Sequence, residues 1–361
     1  MKKIIVLNPV GFIGGAEISL LSFLSFYREN VTVVIVPFEG RFTEELSKLN
    51  IKFIVIPAPD GFNEISRKKS GLSSIKSFLS YSKKISKILK RTDFDYIYSN
   101  GLKMDLLSIL IGFKLKKKVF WHIRDILGIK YKIIFNFLSL FSEKIICNSD
   151  FTLSQFVMKN KVKKIYNPIP DYKIEEKLFN DNEFNIAIAG HLTSIKNIDI
   201  AIKAMVKLPD NFRLNIYGEE PYKTHTGYGE YLKKLVLMHE LEKRVFFRGF
   251  VKNMAEVYSE NDLIISISSI ESFGRVQFEA LNSGKPVITT STGFFHNKKT
   301  LKIPYVIDNR KIDEKTLADN IKNVFDNYEE YREKCKNFYM QIRDEFDSIT
   351  INKKIAGVFN K

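Results

Sequence analysis

Residues 265–290 read ISISSIESFGRVQFEALNSGKPVITT, and this stretch contains the signals of a strand, a helix and a second strand. An apolar run ends near Ser266, and a loop then leads to a helix that opens at Phe273-Gly274. Gly284 and Pro286 end that helix, because glycine is favoured just past a helix C terminus and proline cannot continue a helix. The stretch therefore predicts a strand–loop–helix–strand unit.

Two carboxylates flank the start of this helix. Glu271 lies in the loop and Glu279 lies further along in the helix. A helix that follows a parallel strand presents free backbone N–H groups and a positive dipole end, which suit an anion or a hydroxyl group. The two glutamates could each accept hydrogen bonds from ligand hydroxyls at the same place.

The rest of the chain repeats the alternation of short apolar strands and helices. This pattern is typical of parallel sheets with helices on both faces. We therefore predict an α/β fold with two doubly wound Rossmann-like domains facing each other across a crevice, where ligands of such folds bind. Predicted strands are Ile4–Leu7, Val31–Val36, Phe53–Ile56, Tyr96–Ser99, Val119–His122, Lys144–Cys147, Ile186–Ala189, Phe212–Tyr217, Val245–Phe247, Leu263–Ser266, Val287–Thr289 and Tyr305–Ile307.

The length also predicts two domains, because 361 residues exceed the roughly 100–200 residues of one domain. Residues 1–166 would form the first domain and residues 183–340 the second. Residues 167–182, with two prolines and mixed charge, would link them. We expect a C-terminal helix over residues 341–361 to cross back to the first domain.

The composition excludes several classes of protein. Two cysteines, Cys147 and Cys335, are too few for a disulfide scaffold or a Cys-rich metal centre. The five histidines show no H-x-x-x-H spacing, so no dedicated metal site is expected. This cysteine usage favours the reducing cytoplasm. The apolar part of the N terminus is too short for a secretory signal, and no apolar run approaches the roughly 20 residues that span a bilayer.

The charge is strongly basic and unevenly distributed. The chain carries 57 Lys and Arg against 41 Asp and Glu, a net charge of +16. Residues 1–182 hold 30 basic and 17 acidic residues, which is +13 of that total. Such a basic half favours a polyanion or an anionic membrane surface as a partner. The segment Leu72–Arg91 adds the pattern of a basic amphipathic helix, although an ordinary surface helix explains that pattern as well.

The stretch 265–290 resembles the donor-site motif of the family 4 retaining glycosyltransferases, which have the GT-B fold. Glu271 and Glu279 show the E-x7-E spacing, Phe-Gly follows the first glutamate, and Gly-Lys-Pro-Val comes downstream. The resemblance implies that Glu271 contacts the hydroxyls of the donor sugar and that Glu279 holds the ribose hydroxyls. It also implies that the helix start at Phe273, Gly274 and Arg275 binds the nucleotide-sugar donor.

A second loop also resembles the family. Gly190-His191-Leu192-x-x-x-Lys196 is similar to the family's G-R-L-x-x-x-K loop, in which the arginine and lysine neutralise the donor diphosphate. A fixed cation stabilises the negative charge that builds on this leaving group in the transition state. Lys196 matches the motif, whereas His191 replaces the arginine. The histidine could be partly protonated beside the phosphate, could donate one hydrogen bond, or could serve packing alone.

The contacts to the base are less clearly marked. Val245–Val251 resembles the family's V-x-F-x-G segment, which makes Phe250 and Val251 the candidates for contact with the base. The other interpretation of Phe250 is a core aromatic. Of the family's G-x-G loop only Gly218 remains, and residues 221–229 lengthen that loop.

The first half carries two further motifs. Gly14 and Gly15 belong to a segment that resembles the family's G-G-A-E loop after the first strand, where glycine lets the backbone approach a ligand closely. His122 resembles the family's strand-terminal histidine, which faces the donor sugar. In this family the first domain binds the acceptor, which is often lipid-linked.

The resemblance implies a metal-independent hexosyltransferase that keeps the anomeric configuration and uses the leaving phosphate as the base. The nucleoside-diphosphate sugar would be a substrate rather than a cofactor. The acceptor would be a glycan or lipid-linked glycan in cell-surface polysaccharide synthesis, reached from the cytoplasm at the inner face of the membrane. No nucleic-acid partner is expected, because lysine dominates the basic residues and no nucleic-acid module is recognisable. The alternatives are a basic binding protein for nucleic acid or membrane, and a catalytically degenerate transferase subunit.

Overall fold

The computed structural model describes residues 1–59, 62, 72–172, 174, 179–220, 227–296 and 306–360. The chain divides into two units, each with its own dense set of internal contacts. The first unit comprises Met1–Pro168 and Ser348–Lys361, and the second comprises Ile169–Asp347.

The first unit is built on a parallel sheet of seven strands in the order β3-β2-β1-β4-β5-β6-β7. Because β1 lies between β2 and β4, the connections on its two sides run in opposite directions along the sheet, which is a topological switch point. The strands are β1 (Ile4–Leu7), β2 (Val31–Val36), β3 (Phe53–Val55), β4 (Tyr96–Asn100), β5 (Lys118–Ile123), β6 (Lys144–Cys147) and β7 (Val162–Lys164).

Helices cover this sheet, and its strands are accordingly apolar on both faces. All four residues of β1 are buried, as expected for a parallel strand between two helical layers. The helices are α1 (Gly15–Phe26), α2 (Arg41–Lys48), α3 (Leu72–Leu89), α4 (Leu102–Leu115), α5 (Ile129–Leu138) and α6 (Asp150–Leu153).

The second unit repeats the plan with six parallel strands in the order β10-β9-β8-β11-β12-β13. Its switch point lies between β8 and β11, which are neighbours in the sheet. The strands are β8 (Phe184–Ala189), β9 (Phe212–Tyr217), β10 (Val245–Gly249), β11 (Leu263–Ser266), β12 (Val287–Thr290) and β13 (Val306–Ile307). The helices are α7 (Ile198–Met205), α8 (Tyr228–Met238), α9 (Met254–Glu260), α10 (Arg275–Asn282), α11 (Glu314–Asp326) and α12 (Tyr328–Ile342).

The last helix, α13 (Ser348–Ala356), belongs to the first unit. The Asn352 side-chain amide donates to the Ser22 carbonyl oxygen at 3.2 Å. The fully buried Phe359 ring lies 5.0 Å from the Phe120 ring and 5.5 Å from the Tyr98 ring, centroid to centroid. The C-terminal segment therefore completes the core of the first unit.

The predicted α/β fold with two Rossmann-like parallel sheets is confirmed. Most predicted strands lie within two residues of the observed ones, although β7 was not predicted. Tyr305, predicted to begin the last strand, and residues 221–226 of the lengthened loop fall outside the described residues.

Helix α3 departs from the amphipathic pattern predicted for it. Its apolar residues do not share one face: Ile85 and Leu89 are buried, whereas Ile75, Leu79 and Ile88 are exposed. The helix turns Tyr81, Ser82 and Ser86 inward instead. Tyr81 can be buried because its hydroxyl donates to the Ile56 carbonyl oxygen at 2.7 Å. Within the described part of the chain, no helix is both long and apolar enough to cross a membrane.

Candidate functional site

The loops that follow β8 and β9 touch through their backbones. Gly190 and Gly218 both have positive φ, +149° and +137°. A Cβ atom on Gly218 would lie 1.9 Å from the carbonyl oxygen of Gly190, so no side chain fits there. The Gly218 N–H donates to the Gly249 carbonyl oxygen at 2.7 Å, which ties in the end of β10. Gly218 therefore sets how closely the loops at this edge of the sheet can pack.

Lys196 and Glu271 form an ion pair between the loops that follow β8 and β11. Lys196 ends a short 3-10 helix, and its Nζ contacts Glu271 Oε1. The Ser268 hydroxyl donates to the same carboxylate oxygen at 2.9 Å. A Cβ on Gly190 would lie 3.2 Å from Lys196 Cε, so the lysine stem lies across this glycine. Two residues that are 75 positions apart in sequence thus meet at the switch point.

His191 is next to this pair and is uncharged near neutral pH. Burial lowers the pKa of His191 below its ordinary value of 6.5, and the positive charge of Lys196 lowers it further. Glu219 acts in the opposite direction but with a smaller effect. His191 therefore offers a hydrogen bond rather than a positive charge.

The start of α10 is a glycine turn against which the Gln277 side chain packs, since a Cβ on Gly274 would lie 1.9 Å from Gln277 Nε2. Gly274 is the N-cap residue with φ +93°. The Phe273 ring is buried and lies 5.0 Å from the Phe278 ring, while the Phe273 carbonyl oxygen accepts from the Phe294 N–H at 3.0 Å. A ligand at this helix start would meet the main chain of Phe273 and Gly274, and the Phe273 ring would stay in the core.

Glu279 lies one turn into α10 and is 2% exposed. Arg275 Nη2 lies 2.6 Å from Glu279 Oε1, and the Tyr258 hydroxyl donates to Oε2 at 2.8 Å. The Tyr172 ring lies 5.6 Å from the Tyr258 ring. Neither tyrosine was predicted as a site residue. Tyr258 lies inside α9, where an aromatic residue has the same pattern whether it serves the core or a site, and Tyr172 lies in the segment predicted to be a linker.

Phe250 and Val251 follow Gly249, whose φ is +70°. Both residues are half-buried at the end of β10. Phe250 is thus not a fully buried core aromatic, and part of its ring surface remains open to solvent.

His122 is the predicted site histidine of the first unit. It is buried at the end of β5, and burial together with the charge of Arg124 lowers its pKa well below 6.5. Its Nδ1 contacts the Tyr98 hydroxyl and lies 3.2 Å from Arg124 Nη2. Arginine can only donate, so Nδ1 accepts and the ring proton lies on Nε2. That N–H is buried without a hydrogen-bond partner among the described residues, and it can donate to a ligand oxygen.

Arg124 contacts this histidine, and Glu17 lies close enough to Arg124 to interact with its charge; neither was predicted as a site residue. Arg124 Nη1 donates to Asn167 Oδ1 at 2.7 Å. Glu17 Oε2 accepts from the Gly14 N–H at 3.1 Å, which orders the start of α1 after the Gly14-Gly15 turn. Burial raises the pKa of Glu17 from 4.5 to about 7, and the nearby charge of Arg124 only partly opposes this shift.

The structure thus brings the predicted residues together in separate groups. In the second unit, Lys196 contacts Glu271, and Arg275 contacts Glu279. In the first unit, the predicted residues are Gly14 and Gly15 at the start of α1 and His122 at the end of β5. A capping glutamate three residues after Gly14 is the signal that could have identified Glu17.

Metal-binding geometry is not found in the part of the chain that the structure describes, where no cluster of three His, Cys, Asp or Glu side chains could hold an ion. Asp93-Phe94-Asp95 has the spacing of an Asp-x-Asp metal motif. The Lys3 ammonium and backbone N–H occupy these two carboxylates, each at 2.8 Å. Both carboxylates therefore bind Lys3, the residue that precedes β1.

Replacing Gly218 by alanine should destabilise the second unit more than a glycine substitution in open space. Gly227 is the matched control, because it also has positive φ (+71°) but a Cβ there would meet no atom within 4 Å. We expect Gly218→Ala to lower the free energy of unfolding by about 1–3 kcal/mol more than Gly227→Ala, through the clash with the Gly190 carbonyl. Urea unfolding monitors both variants, and equal losses would contradict the steric role.

Glu17→Gln should change how stability depends on pH. The unfolded chain releases this proton near pH 4.5, whereas the folded protein keeps it up to about pH 7. The free energy of unfolding therefore falls as the pH rises through this interval, by on the order of 3 kcal/mol. Glutamine can still accept from the Gly14 N–H but cannot ionise. Urea unfolding at pH 5 and pH 8 should show the loss in the parent protein and its removal in the variant, and parallel losses would argue against it.

Comparisons with known proteins agree with this division of the chain. The family model described as glycosyl transferases group 1 matches residues 171–340, which is nearly all of the second unit.

Curated relatives match larger or smaller parts of the chain. The O-antigen biosynthesis glycosyltransferase WclY of Escherichia coli is 27% identical over 298 residues, covering 75% of this chain and 80% of that protein. The UDP-N-acetylglucosamine--N-acetylmuramyl-(pentapeptide) pyrophosphoryl-undecaprenol N-acetylglucosamine transferase of Pelagibacter ubique is 26% identical over 286 residues, 75% of this chain and 76% of that protein. With an uncharacterized glycosyltransferase of Methanocaldococcus jannaschii, the chain shares 32% identity over 152 residues, only 37% of the length of each.

Among solved structures, Anabaena Alr3699/HepE in complex with UDP and glucose superposes with a TM-score of 0.84 at 22% identity, covering 100% of both chains. This likeness shows the fold, which is GT-B. The family model, the curated relatives and this fold together support a glycosyltransferase of the GT-B class.

Proposed function

We propose that the protein is a retaining glycosyltransferase that moves a sugar from a nucleoside-diphosphate donor to an acceptor glycan or lipid-linked glycan in cell-surface polysaccharide synthesis. The observation that carries the proposal is the Lys196–Glu271 ion pair at the β8/β11 switch point. The names of the relatives support it, because one acts in O-antigen biosynthesis and another acts on a pyrophosphoryl-undecaprenol substrate.

In this proposal Lys196 binds the diphosphate of the donor. When the sugar leaves, negative charge builds on the phosphate oxygen, and a cation fixed at that point stabilises the transition state more than the ground state. The backbone N–H groups at the start of α10 add the positive end of the helix dipole. We assign this neutralisation to Lys196 and the helix rather than to a metal ion.

The same ion pair orders the two functional groups before the donor arrives. Lys196 exchanges Glu271 for the diphosphate, and the released Glu271 carboxylate accepts hydrogen bonds from the sugar hydroxyls. The pair therefore acts as an exchangeable contact between a phosphate-binding residue and a sugar-binding residue. Its side chains are about one quarter and one fifth exposed, so a ligand can reach both.

The remaining contacts to the donor come from α10 and from the end of β10. Glu279, with Arg275 beside it, holds the ribose hydroxyls, and the half-buried Phe250 and Val251 meet the base at the end of β10. Tyr258 donates a hydrogen bond to Glu279 Oε2, whereas Oε1 is ion-paired with Arg275 but accepts no hydrogen bond from the described residues. A ribose hydroxyl can therefore donate to Oε1 while the Tyr258 hydrogen bond remains.

The first unit supplies the acceptor side. The Nε2–H of His122 donates to an oxygen of the transferred sugar, and Tyr98 and Arg124 keep this nitrogen protonated by occupying Nδ1. The Gly14-Gly15 turn lets a ligand approach the start of α1. The acceptor hydroxyl gives its proton to the leaving phosphate oxygen, so the chain needs no carboxylate nucleophile.

A thermal-shift panel with UDP, GDP, CDP and ADP tests the donor site. A nucleotide that binds only the folded protein raises the unfolding midpoint according to its concentration relative to Kd. We expect one nucleotide to do so, and Lys196→Ala should weaken its binding at least tenfold. Lys203→Ala is the matched control, because Lys203 in α7 pairs with Asp199 at 3.7 Å instead.

Glu271→Gln separates the two partners of the ion pair in the same panel. It frees Lys196, so the nucleotide should bind as tightly as before or more tightly, while sugar transfer falls at least tenfold. If no nucleotide shifts the midpoint of the parent protein, the donor site is refuted and the degenerate-subunit alternative is favoured.

His191→Arg should strengthen nucleotide binding at pH 8. Since His191 is uncharged there, arginine adds a positive charge beside the diphosphate, and we expect a gain of about threefold or more that high salt reduces. His239→Arg adds the same charge at the end of α8 and should leave the affinity unchanged. Weaker nucleotide binding in His191→Arg would indicate that the histidine makes a specific hydrogen bond which arginine cannot replace.

A further inference from the structure

The first unit exposes an unusual row of large apolar side chains, which we call the apolar patch: Phe113, Ile129, Ile133, Phe137 and Phe141. They are between 46% and 85% exposed. Single exposed apolar residues are normal on protein surfaces, whereas a contiguous group marks an interaction surface.

The members of the patch are continuous in space. Ile129, Ile133 and Phe137 are four residues apart in α5 and therefore lie on one side of that helix. Phe141 follows in the 3-10 helix Ser139–Phe141, with its ring 5.9 Å from the Phe137 ring and 5.3 Å from the Phe113 ring. The row thus runs along α5 and ends against the last turn of α4.

Packing of α5 on the unit does not use this row. The buried Phe135 on the opposite side lies 5.5 Å from the Trp121 ring. The Asn136 side-chain amide donates to the Gln155 carbonyl oxygen at 2.8 Å. These contacts hold the helix in place, and the side chains of the apolar patch take no part in the core of the unit.

Positive charge surrounds the patch. Residues 113–144 carry eight Lys and Arg against two Asp and Glu. One of the two acids, Glu143, is paired with Lys118 at 3.1 Å. A cavity of about 420 Å³ between Phe113 and Phe141 is lined by lysines as well as apolar groups. The exposed lysines of this region are Lys114, Lys116, Lys118, Lys130 and Lys132.

We propose that the apolar patch and its lysines dock the first unit on an anionic phospholipid bilayer. The apolar side chains enter the boundary between headgroups and acyl chains, and the lysines meet the lipid phosphates. A second copy of this chain fits the surface less well. In a two-fold interface the patch would face itself, and the two sets of lysines would be brought together without counter-charges.

Docking here would also bring the candidate site near the lipid. Helix α5 begins four residues after Asp125, and the loop before it carries Arg124 and follows directly on β5, which holds His122. Gln155 ties this loop down, because it accepts from the Leu127 N–H at 2.6 Å and donates to the Asp125 carbonyl oxygen at 3.1 Å. Docking at a bilayer deepens the proposed function, because a lipid-linked acceptor lies in a bilayer. Only this link to the acceptor rests on the proposed function.

Vesicle co-sedimentation of the full chain tests the proposal. The vesicles contain phosphatidylcholine alone or phosphatidylcholine with phosphatidylglycerol. We expect binding to the anionic vesicles, little binding to the neutral ones, and release at high salt. The double variant Ile133→Ser/Phe137→Ser should bind the anionic vesicles at least tenfold more weakly. Lys130→Glu/Lys132→Glu, which leaves the apolar side chains in place, should lose binding as well.

The matched control is Leu237→Ser/Met238→Ser, which replaces two exposed apolar residues of α8 in the second unit and should bind like the parent protein. The proposal is overturned if the parent protein ignores anionic vesicles or if the patch variants still bind them. It is also overturned if the patch variants only convert a dimer into a monomer. The nucleotide panel on the same samples keeps this result separate, because a failed donor site would remove the nucleotide shift and leave vesicle binding intact.

Discussion

The parallel pairing of β8 with both β9 and β11 is the constraint on which the candidate donor site depends. Parallel strands all end at the same edge of a sheet, so the loops after them leave from one place. Between β8 and β11 the connections diverge, which leaves room for a ligand while bringing Lys196 and Glu271 into contact. In the first unit β1 pairs with both β2 and β4, so the connections diverge between β1 and β4 as well.

The two site glutamates, one in the loop after β11 and one in α10, are each bound by side chains of the protein itself. Glu271 is bound by Lys196 and Ser268, and Glu279 by Arg275 and Tyr258. A buried charge without a partner would cost several kcal/mol, roughly, in the ligand-free protein. Such contacts stabilise the charges at the site, and a polar ligand that takes the place of Lys196 beside Glu271 is bound by exchange of one contact for another. Affinity then depends on how well each new contact replaces the old one.

Much of the fold was predictable because its signals are local. Buried parallel strands such as Ile4–Leu7 are continuous apolar runs, and Gly284 with Pro286 marks the end of α10. The surroundings of the site were not predictable, because Tyr98 and Tyr258 act through contacts between residues far apart in sequence. The exposure of side chains could not be predicted either, because the sequence pattern of α5 does not indicate which of its apolar residues pack inward. The roles of individual site residues stay predictions.

The return of α13 to the first unit has a consequence for how the protein is made. Phe359, at the far end of the chain, packs against Phe23 and Tyr98 in the core of the first unit. During synthesis the second unit, Ile169–Asp347, leaves the ribosome entire before the first unit has all of its parts. Domains generally fold as units as they emerge. The second unit is therefore complete before the first, and the first unit keeps an open apolar surface until residues 348–360 have been made.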